Sequence, residues 1–248
     1  MKFSSLRSSI CLNIFIESQI NTKSFLRVYP IVFHMLYPLW RIFVLPAYQL
    51  WVRKVTGVEN LPKDNPFIIA LNHTSYYDTV LPYCVILPVL DKKIHPLVNS
   101  HYWKNPITRN IMHQCEAFPV FIKDKDAKRK NKESIGKLIN CIKKGELAMI
   151  FPEGTRSFDG KLKKAKTGIA RIALKAKVPV VPIGIKDSHK VLTKGKMLPT
   201  FNRCEFHIGK PMHFEKYYKK KIDDKLLEKI TRDIMKEIGK LIGQKYNY

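Results

Sequence analysis

The sequence lacks the cysteine and histidine patterns that accompany metal sites and disulfide frameworks. Its five cysteines are scattered without a Cys-x-x-Cys pair, and its eight histidines show no ligand spacing. We therefore expect no structural metal and no disulfide network. A reducing compartment fits this cysteine usage best.

The sequence also lacks a Gly-x-Ser-x-Gly nucleophile elbow, and none of its cysteines lies in a recognisable catalytic context. A covalent enzyme intermediate is therefore not expected. If the protein is an enzyme without such a nucleophile, a base would activate the hydroxyl of the substrate, and that hydroxyl would accept the transferred group directly.

Acidic residues are scarce relative to basic ones. The chain has 20 Asp and Glu against 45 Lys and Arg, a formal net charge of +25, and the excess is concentrated in residues 101–248. Such a charge favours nucleic acid, an anionic membrane surface or phosphate-bearing substrates. Charge alone does not select among these partners, and a solvated lysine-rich surface gives the same composition.

No apolar run is long enough for a clean membrane span, which needs about 20 residues. Residues 29–54 come nearest, but His34, Arg41 and Gln49 interrupt them. Their tryptophans and tyrosines, flanked by Arg and Lys, suit the headgroup boundary of a bilayer. We predict a helical, monotopic membrane-associating segment here, with a helix packed on the protein's own core as the alternative. Residues 1–28 are a poorly patterned extension without a convincing signal peptide.

Residues 55–248 have the pattern of one α/β domain. Short continuous apolar runs are typical of strands buried on both faces, and amphipathic stretches between them predict helices. We therefore predict a mixed, mostly parallel sheet flanked by helices. The predicted strands are 66–71, 94–98, 117–122, 147–151, 178–185 and 204–208, and the predicted helices are 134–144 and 167–177.

The chain ends in a basic amphipathic helix that we predict from Lys219 onward. Its apolar residues recur at near-helical spacing, with lysines elsewhere. Packing of the apolar face against the domain is one interpretation, and contact with an anionic membrane is the other.

A possible base and its carboxylate partner follow the first predicted strand. His73 comes directly after residues 66–71, and Asp78 lies five residues further on. An aspartate one turn into the next helix can reach back to the imidazole, fix its tautomer and leave the other ring nitrogen to take a proton. The alternative is that His73 and Asp78 merely cap a helix start.

A second polar string follows the strand predicted at 147–151. Gly154 permits a tight turn, Arg156 offers a planar donor group suited to phosphate, and Glu153 can accept hydrogen bonds from substrate hydroxyls. Thr155 lies in the same string, and we include it in the predicted substrate-binding set. A strand-ending turn with a surface ion pair is the alternative.

These strings resemble the signature blocks of the glycerolipid acyltransferases, most of all those of the bacterial-type 1-acylglycerol-3-phosphate acyltransferases. Residues 72–78 (NHTSYYD) are similar to the first block, residues 151–157 (FPEGTRS) to the third and residues 178–184 (VPVVPIG) to the fourth. Residues 57–62 and 208–211 resemble the lead-in and the near-terminal strand of the family. The blocks occur in the family's order.

The resemblance implies acyl transfer from acyl-CoA or acyl-carrier protein to the free hydroxyl of a lysophospholipid, commonly lysophosphatidic acid. His73 would be the base, Asp78 its orienting partner and Arg156 the ligand of the acceptor phosphate, while Glu153 and Gly154 would shape the acceptor site. It implies an N-terminal helical membrane-binding element, and we expect the protein at the cytoplasmic face of a membrane. No cofactor beyond the acyl donor, no metal and no nucleic-acid partner are expected.

The second block departs from the family pattern. Glu116 stands where the family usually has a glycine, and no arginine occupies the position that usually reads phosphate. Lys123 or Lys125 would substitute for that arginine, although a lysine cannot form the same bidentate contact. Another lysophospholipid or glycerol 3-phosphate is therefore an alternative acceptor. A non-enzymatic basic protein that binds membrane or nucleic acid is a third hypothesis, but it leaves the ordered blocks unexplained.

Overall fold

The computed structural model describes residues 50–90, 92–192 and 198–248, and a seven-stranded sheet runs through this part of the chain. The strands are β1 (Val52–Thr56), β2 (Ile68–Leu71), β3 (Ile94–Asn99), β4 (Phe118–Val120), β5 (Leu147–Ile150), β6 (Val180–Lys186) and β7 (Cys204–Ile208). Their order across the sheet is β1-β7-β6-β2-β5-β3-β4.

The α-helices of the described residues cover both faces of this sheet. They are α1 (Leu81–Ile86), α2 (Pro106–Gln114), α3 (Ala127–Lys143), α4 (Gly168–Ala176), α5 (Ser188–Val191) and α6 (Asp224–Ile242). Short 3-10 helices at Val58–Asn60, Tyr76–Thr79, Ser100–Trp103 and Glu215–Tyr217 lie in the connections.

The prediction of a mixed, mostly parallel sheet is confirmed. Every strand pair is parallel except β6 with β7. All four residues of β2 are buried, and the strand lies between β5 and β6. The continuous apolar run thus reflects burial on both faces.

Two cores follow from the alternation of side chains along the strands. Ile68 and Ala70 face a core shared with α3, α4 and α6. Ile69 and Leu71 face the opposite core, which α1 closes. Since β2, β3, β4 and β5 run parallel, their carboxyl ends meet at one edge of the sheet, and the polar strings emerge there.

The predicted C-terminal amphipathic helix is α6, and its apolar face packs against the sheet. Leu227, Ile230, Ile234 and Ile238 are each fully buried, and burial of such a side chain contributes about 1.5–3 kcal/mol. The helix approaches β6 closely, because a Cβ on Gly184 would lie 2.7 Å from the Leu241 Cβ. Packing on the domain is therefore confirmed, and the interpretation that this face lies on a membrane is wrong.

β1 was not among the predicted strands. Residues 52–54 were placed at the end of the apolar helical segment, but they form a strand that pairs parallel with β7, with Val52 opposite Cys204. The domain therefore begins before residue 55. The remainder of the predicted membrane-associating segment, residues 29–49, and the extension 1–28 lie outside the described residues. Within the described ranges, no helix combines the length and the apolar character needed to cross a bilayer.

Candidate active site

The two polar strings meet at the carboxyl ends of neighbouring strands. β2 and β5 pair parallel, with Ala70 opposite Ile150, so the residues that follow them emerge side by side. The Ser157 N–H donates to the His73 carbonyl at 2.7 Å. The His73 ring stacks on Phe151 with centroids 4.0 Å apart. The structure thus joins two strings that are well separated in the chain.

Asp78 faces His73 from within a rigid helix start. The His73 Nδ1 and the Asp78 Oδ2 are 3.4 Å apart. The same oxygen accepts the N–H groups of Thr74 at 2.6 Å and Ser75 at 2.7 Å. The Ser75 hydroxyl accepts from the Tyr77 N–H, which completes a capping box. The carboxylate is fully buried and held toward Nδ1, so Nε2 is the ring nitrogen left to take a proton.

Neighbouring residues fix the His73 backbone on both sides. The buried Asn72 amide donates to the Ile185 carbonyl at 2.9 Å and accepts from the Ile185 N–H at 2.8 Å. The Thr74 and Ser188 hydroxyl oxygens are 2.6 Å apart. The first contact ties the end of β2 to β6 and the second ties the loop to α5, so His73 is held in a defined position.

The Glu153 carboxylate connects the two strings through backbone hydrogen bonds. Its Oε1 accepts from the His73 N–H at 3.0 Å, and its Oε2 accepts from the Lys163 N–H at 2.8 Å. Burial raises the pKa of Glu153 to about 7. The two backbone N–H groups favour the charged carboxylate and so partly oppose this rise. Both oxygens contact backbone and the residue is 3% exposed, so its visible role is to shape the site. Direct contact with a substrate hydroxyl stays a prediction.

The Arg156 guanidinium lies against an aromatic ring at the surface of the site. Its Cζ is 3.3 Å from the centroid of the Tyr76 ring and 5.6 Å from that of Phe158. Among the described residues no carboxylate pairs with Arg156, so the surface ion pair considered above is not found. With one flat face on Tyr76, the N–H groups at the edge of the guanidinium remain able to bind an anion.

Gly154 forms the predicted turn, and a lysine that the sequence analysis did not single out lies over it. Gly154 has a φ of +68°, and a Cβ there would lie 3.3 Å from the Lys166 Cε. Thr155, the next residue, is exposed. The Lys163 Nζ donates to the Arg156 carbonyl at 2.7 Å. Lys163 and Lys166 therefore lie beside Arg156, and we call these three residues with Gly154 the basic turn. The lysine-rich sequence 161–166 is the feature from which the two lysines could have been predicted.

Tyr102 is a further residue near this turn that the sequence analysis missed. It lies in the 3-10 helix after β3, within interaction distance of Tyr76 and Arg156. Burial is the main cause that raises the pKa of Tyr102, the neighbouring Tyr76 adds to it, and the positive charge of Arg156 opposes it. The loop after β3 thus contributes to the surroundings of Arg156.

Lys123 and Lys125 lie apart from these residues. Both are exposed in the turn after β4, the edge strand, which β3 and β5 separate from β2. Three inter-strand spacings amount to about 14 Å. They share the sheet edge with His73, but no described contact joins them to His73 or Arg156. The structure therefore does not bring them into the group formed by the two strings.

The end of the chain braces the loop that carries the basic turn. The Gln244 side chain donates to the Gly160 carbonyl at 2.8 Å and accepts from the Leu162 N–H at 3.1 Å. The Tyr246 hydroxyl accepts from the Ala165 N–H at 2.9 Å. The position of residues 157–166 therefore depends on residues beyond α6.

Comparison with known proteins gives a family match and named relatives. The acyltransferase family model matches residues 52–186. A 1-acyl-sn-glycerol-3-phosphate acyltransferase of Bacillus subtilis is 32% identical over 161 residues, which cover 64% of this chain and 73% of that protein. The chloroplastic 1-acyl-sn-glycerol-3-phosphate acyltransferase LPAT1 of Arabidopsis thaliana is 30% identical over 186 residues. That match covers 74% of this chain and 49% of the plant protein, so the chain spans about half of its length.

The fold has a counterpart among solved structures. The crystal structure of the 1-acyl-sn-glycerophosphate acyltransferase from Thermotoga maritima matches with a TM-score of 0.55 at 22% identity, covering 91% of this chain and 87% of that one. At this identity the likeness concerns the fold. The family model, which matches more than half of the chain, and the similarity to the Bacillus protein decide the family: the chain belongs to the acyltransferases.

Proposed function

We propose that the protein transfers a fatty acyl group from an acyl thioester to the free hydroxyl of 1-acylglycerol 3-phosphate, which yields phosphatidic acid. One observation carries this proposal: Glu153 bridges the His73 and Lys163 backbones and so joins a histidine–aspartate pair to a basic turn. A base beside an anion site suits an acceptor that carries both a hydroxyl and a phosphate. The names of the Bacillus and Arabidopsis relatives support this acceptor.

His73 acts as the general base of the proposed reaction. Its Nε2 takes the proton of the acceptor hydroxyl while the hydroxyl oxygen attacks the thioester carbonyl. Collapse of the tetrahedral intermediate forms the ester and breaks the carbon–sulfur bond, and the imidazolium returns the proton to the leaving thiolate. Asp78 stabilises the imidazolium and holds its orientation through Nδ1.

Arg156 binds the acceptor phosphate in this proposal, and Lys163 and Lys166 add positive charge beside it. A guanidinium stacked on Tyr76 keeps its orientation, so fewer rotamers are lost when the phosphate binds. Gly154 leaves room for the Lys166 side chain, and Thr155 is exposed on the same turn. The acyl donor is acyl-CoA or acyl-carrier protein, and no further cofactor takes part.

An acyl-transfer assay of the purified full chain tests the function. We expect turnover with 1-acylglycerol 3-phosphate and a fatty acyl-CoA or acyl-carrier protein, with phosphatidic acid identified by mass spectrometry. Glycerol 3-phosphate and lysophospholipids with other headgroups serve as competing acceptors. If the enzyme prefers one of these, the proposed acceptor is wrong while the proposed acyl transfer stands. Absence of transfer with every acceptor and both donors would contradict the proposal.

We also propose that residues 29–49 attach the protein to the cytoplasmic face of a membrane. Removal of residues 1–49 leaves β1 complete and takes away Tyr29, Tyr37, Trp40, Arg41 and Tyr48, which suit the headgroup region. We expect the shortened chain to stay in the supernatant when it is sedimented with anionic vesicles, while the full chain pellets. Equal sedimentation of both chains would contradict the attachment.

A further inference from the structure

Three side chains with metal-binding atoms meet at the opposite edge of the sheet from His73. They are His95 near the start of β3, Cys141 near the end of α3 and Glu146 just before β5. One ligand atom from each lies within 4.8 Å of the other two. The parallel pairing of β3 with β5, in which His95 lies opposite Ala148, brings these residues together.

The orientation of His95 is that of a metal-binding histidine. Its Nδ1 lies 3.0 Å from the Glu116 carbonyl oxygen, which can only accept, so Nδ1 carries the hydrogen. A histidine that binds a metal through one nitrogen usually donates the other N–H to such an acceptor. Nε2 therefore points into the cluster, 2.9 Å from the Glu146 Oε2. The His95 side chain is only 2% exposed, which fixes this arrangement.

The backbone that supplies this acceptor is the C-terminal cap of α2. Glu116 has a φ of +47°, in the left-handed region where many helices end. Its N–H donates to the His113 carbonyl at 3.0 Å, and the Ala117 N–H donates to the Met112 carbonyl at 2.9 Å. The Glu116 carboxylate pairs with Lys93 at 2.6 Å. These contacts hold the Glu116 carbonyl on His95.

The charges around Glu146 leave its carboxylate available to a cation. Among the described residues, no lysine or arginine lies at ion-pair distance from it, and Lys93 is engaged by Glu116. The Cys141 sulfur and a Glu146 carboxylate oxygen lie within 4.8 Å of each other and of the His95 ring nitrogen. One divalent ion placed between them can reach all three atoms.

We propose that the His95 Nε2, the Cys141 Sγ and a Glu146 carboxylate oxygen bind one zinc ion. Zinc accepts nitrogen, sulfur and oxygen ligands in a tetrahedral arrangement, and water supplies the fourth ligand from the side where Glu146 is 27% exposed. Binding releases the thiol proton and the proton shared by His95 and Glu146 to solvent.

The proposed ion joins β3, α3 and β5 and takes no part in acyl transfer. No metal was predicted, because the cysteines and histidines show no ligand spacing in the sequence. His95 is distant from Cys141 and Glu146 in the chain, and the pairing of β3 with β5 brings it to them.

Zinc and cobalt binding to the chelator-treated full chain test the site. We expect one equivalent of zinc in competition with a chromophoric chelator, and a thiolate-to-metal charge-transfer band with cobalt. The midpoint of thermal unfolding should rise by about 5–10 °C at free zinc near 100 times the Kd. A matched control is Cys115→Ser, which replaces another half-buried thiol outside the cluster. Cys141→Ser should lose the band and the rise, and Cys115→Ser should keep both.

A charge-transfer band that persists in Cys141→Ser, or that is absent from the unsubstituted chain, would overturn the proposal. Alkylation of the unsubstituted chain gives a second measurement that needs no variant to fold. Zinc should protect Cys141 from iodoacetamide, as seen by peptide mass spectrometry, and equal labelling with and without zinc would overturn the proposal. None of these measurements depends on acyl transfer, so failure of the zinc proposal would leave the proposed function unaffected.

Discussion

Replacement of His73 by alanine is expected to lower kcat by about 10²–10⁴-fold, the usual contribution of a positioned general base. The substitution removes the nitrogen that takes the hydroxyl proton, and no other described histidine contacts Asp78. The loop should keep its place, because Asn72 and Thr74 hold it through β6 and α5. Initial rates at saturating acceptor and donor measure the effect, with circular dichroism as the check on folding.

His213→Ala is the matched control for this prediction. His213 is also a histidine beside a carboxylate, but it is exposed and pairs with Glu215 away from the two strings. It should retain the kcat of the unsubstituted chain. A folded His73→Ala variant that keeps more than about a tenth of the original turnover would remove His73 from the role of base.

The parts of the site that depend on short-range contacts were predictable from the sequence. His73 and Asp78 are five residues apart across a helix start, and Ser75 is a favoured capping residue, so their juxtaposition follows from local geometry. The buried strands before both strings were also recognisable, because a continuous apolar run of this length is typical of a central parallel strand. The meeting of the two strings followed from the rule that parallel strands end at one edge.

The contacts that complete the site join distant parts of the chain and left no local signal. Glu153 reaches the His73 N–H across 80 residues, and Gln244 reaches the Leu162 N–H across 82. The stacking of Arg156 on Tyr76 depends on the position of both loops. Tertiary pairing of this kind is invisible to periodicity, which reports only which face of an element is buried.

Among the elements that were not predicted, β1 and α2 escaped for different physical reasons. β1 begins directly after an apolar, aromatic stretch, and only Val52 among its five residues is buried, so it lacks the continuous run of β2. α2 buries none of its residues, and its start depends on the Asn105 side chain, which accepts from two backbone N–H groups. It spans only nine residues, and its apolar residues Ile107 and Ile111 stay exposed, so packing does not mark it as an element of the core.

Replacement of Arg156 by alanine is expected to raise the KM for 1-acylglycerol 3-phosphate about 10–100-fold, since a hydrogen bond to a charged group contributes about 1.5–3 kcal/mol. The KM for the acyl donor should change little, because the guanidinium lies on the acceptor side of the site in this proposal. Arg156→Lys should give an intermediate KM, since an ammonium keeps the charge and loses both the planar donor group and the stacking on Tyr76.

Arg171→Ala supplies the control for the loss of one positive charge. Arg171 lies on α4, is partly exposed and pairs loosely with Asp224, so its removal lowers the net charge equally without altering the basic turn. An unchanged acceptor KM in Arg171→Ala together with a raised one in Arg156→Ala would assign the phosphate contact to the turn. A rise in donor KM for Arg156→Ala, with acceptor KM unchanged, would instead move Arg156 to the thioester side. The acceptor would then depend on Lys163 and Lys166, whose positions Glu153 and Tyr246 hold through the loop backbone.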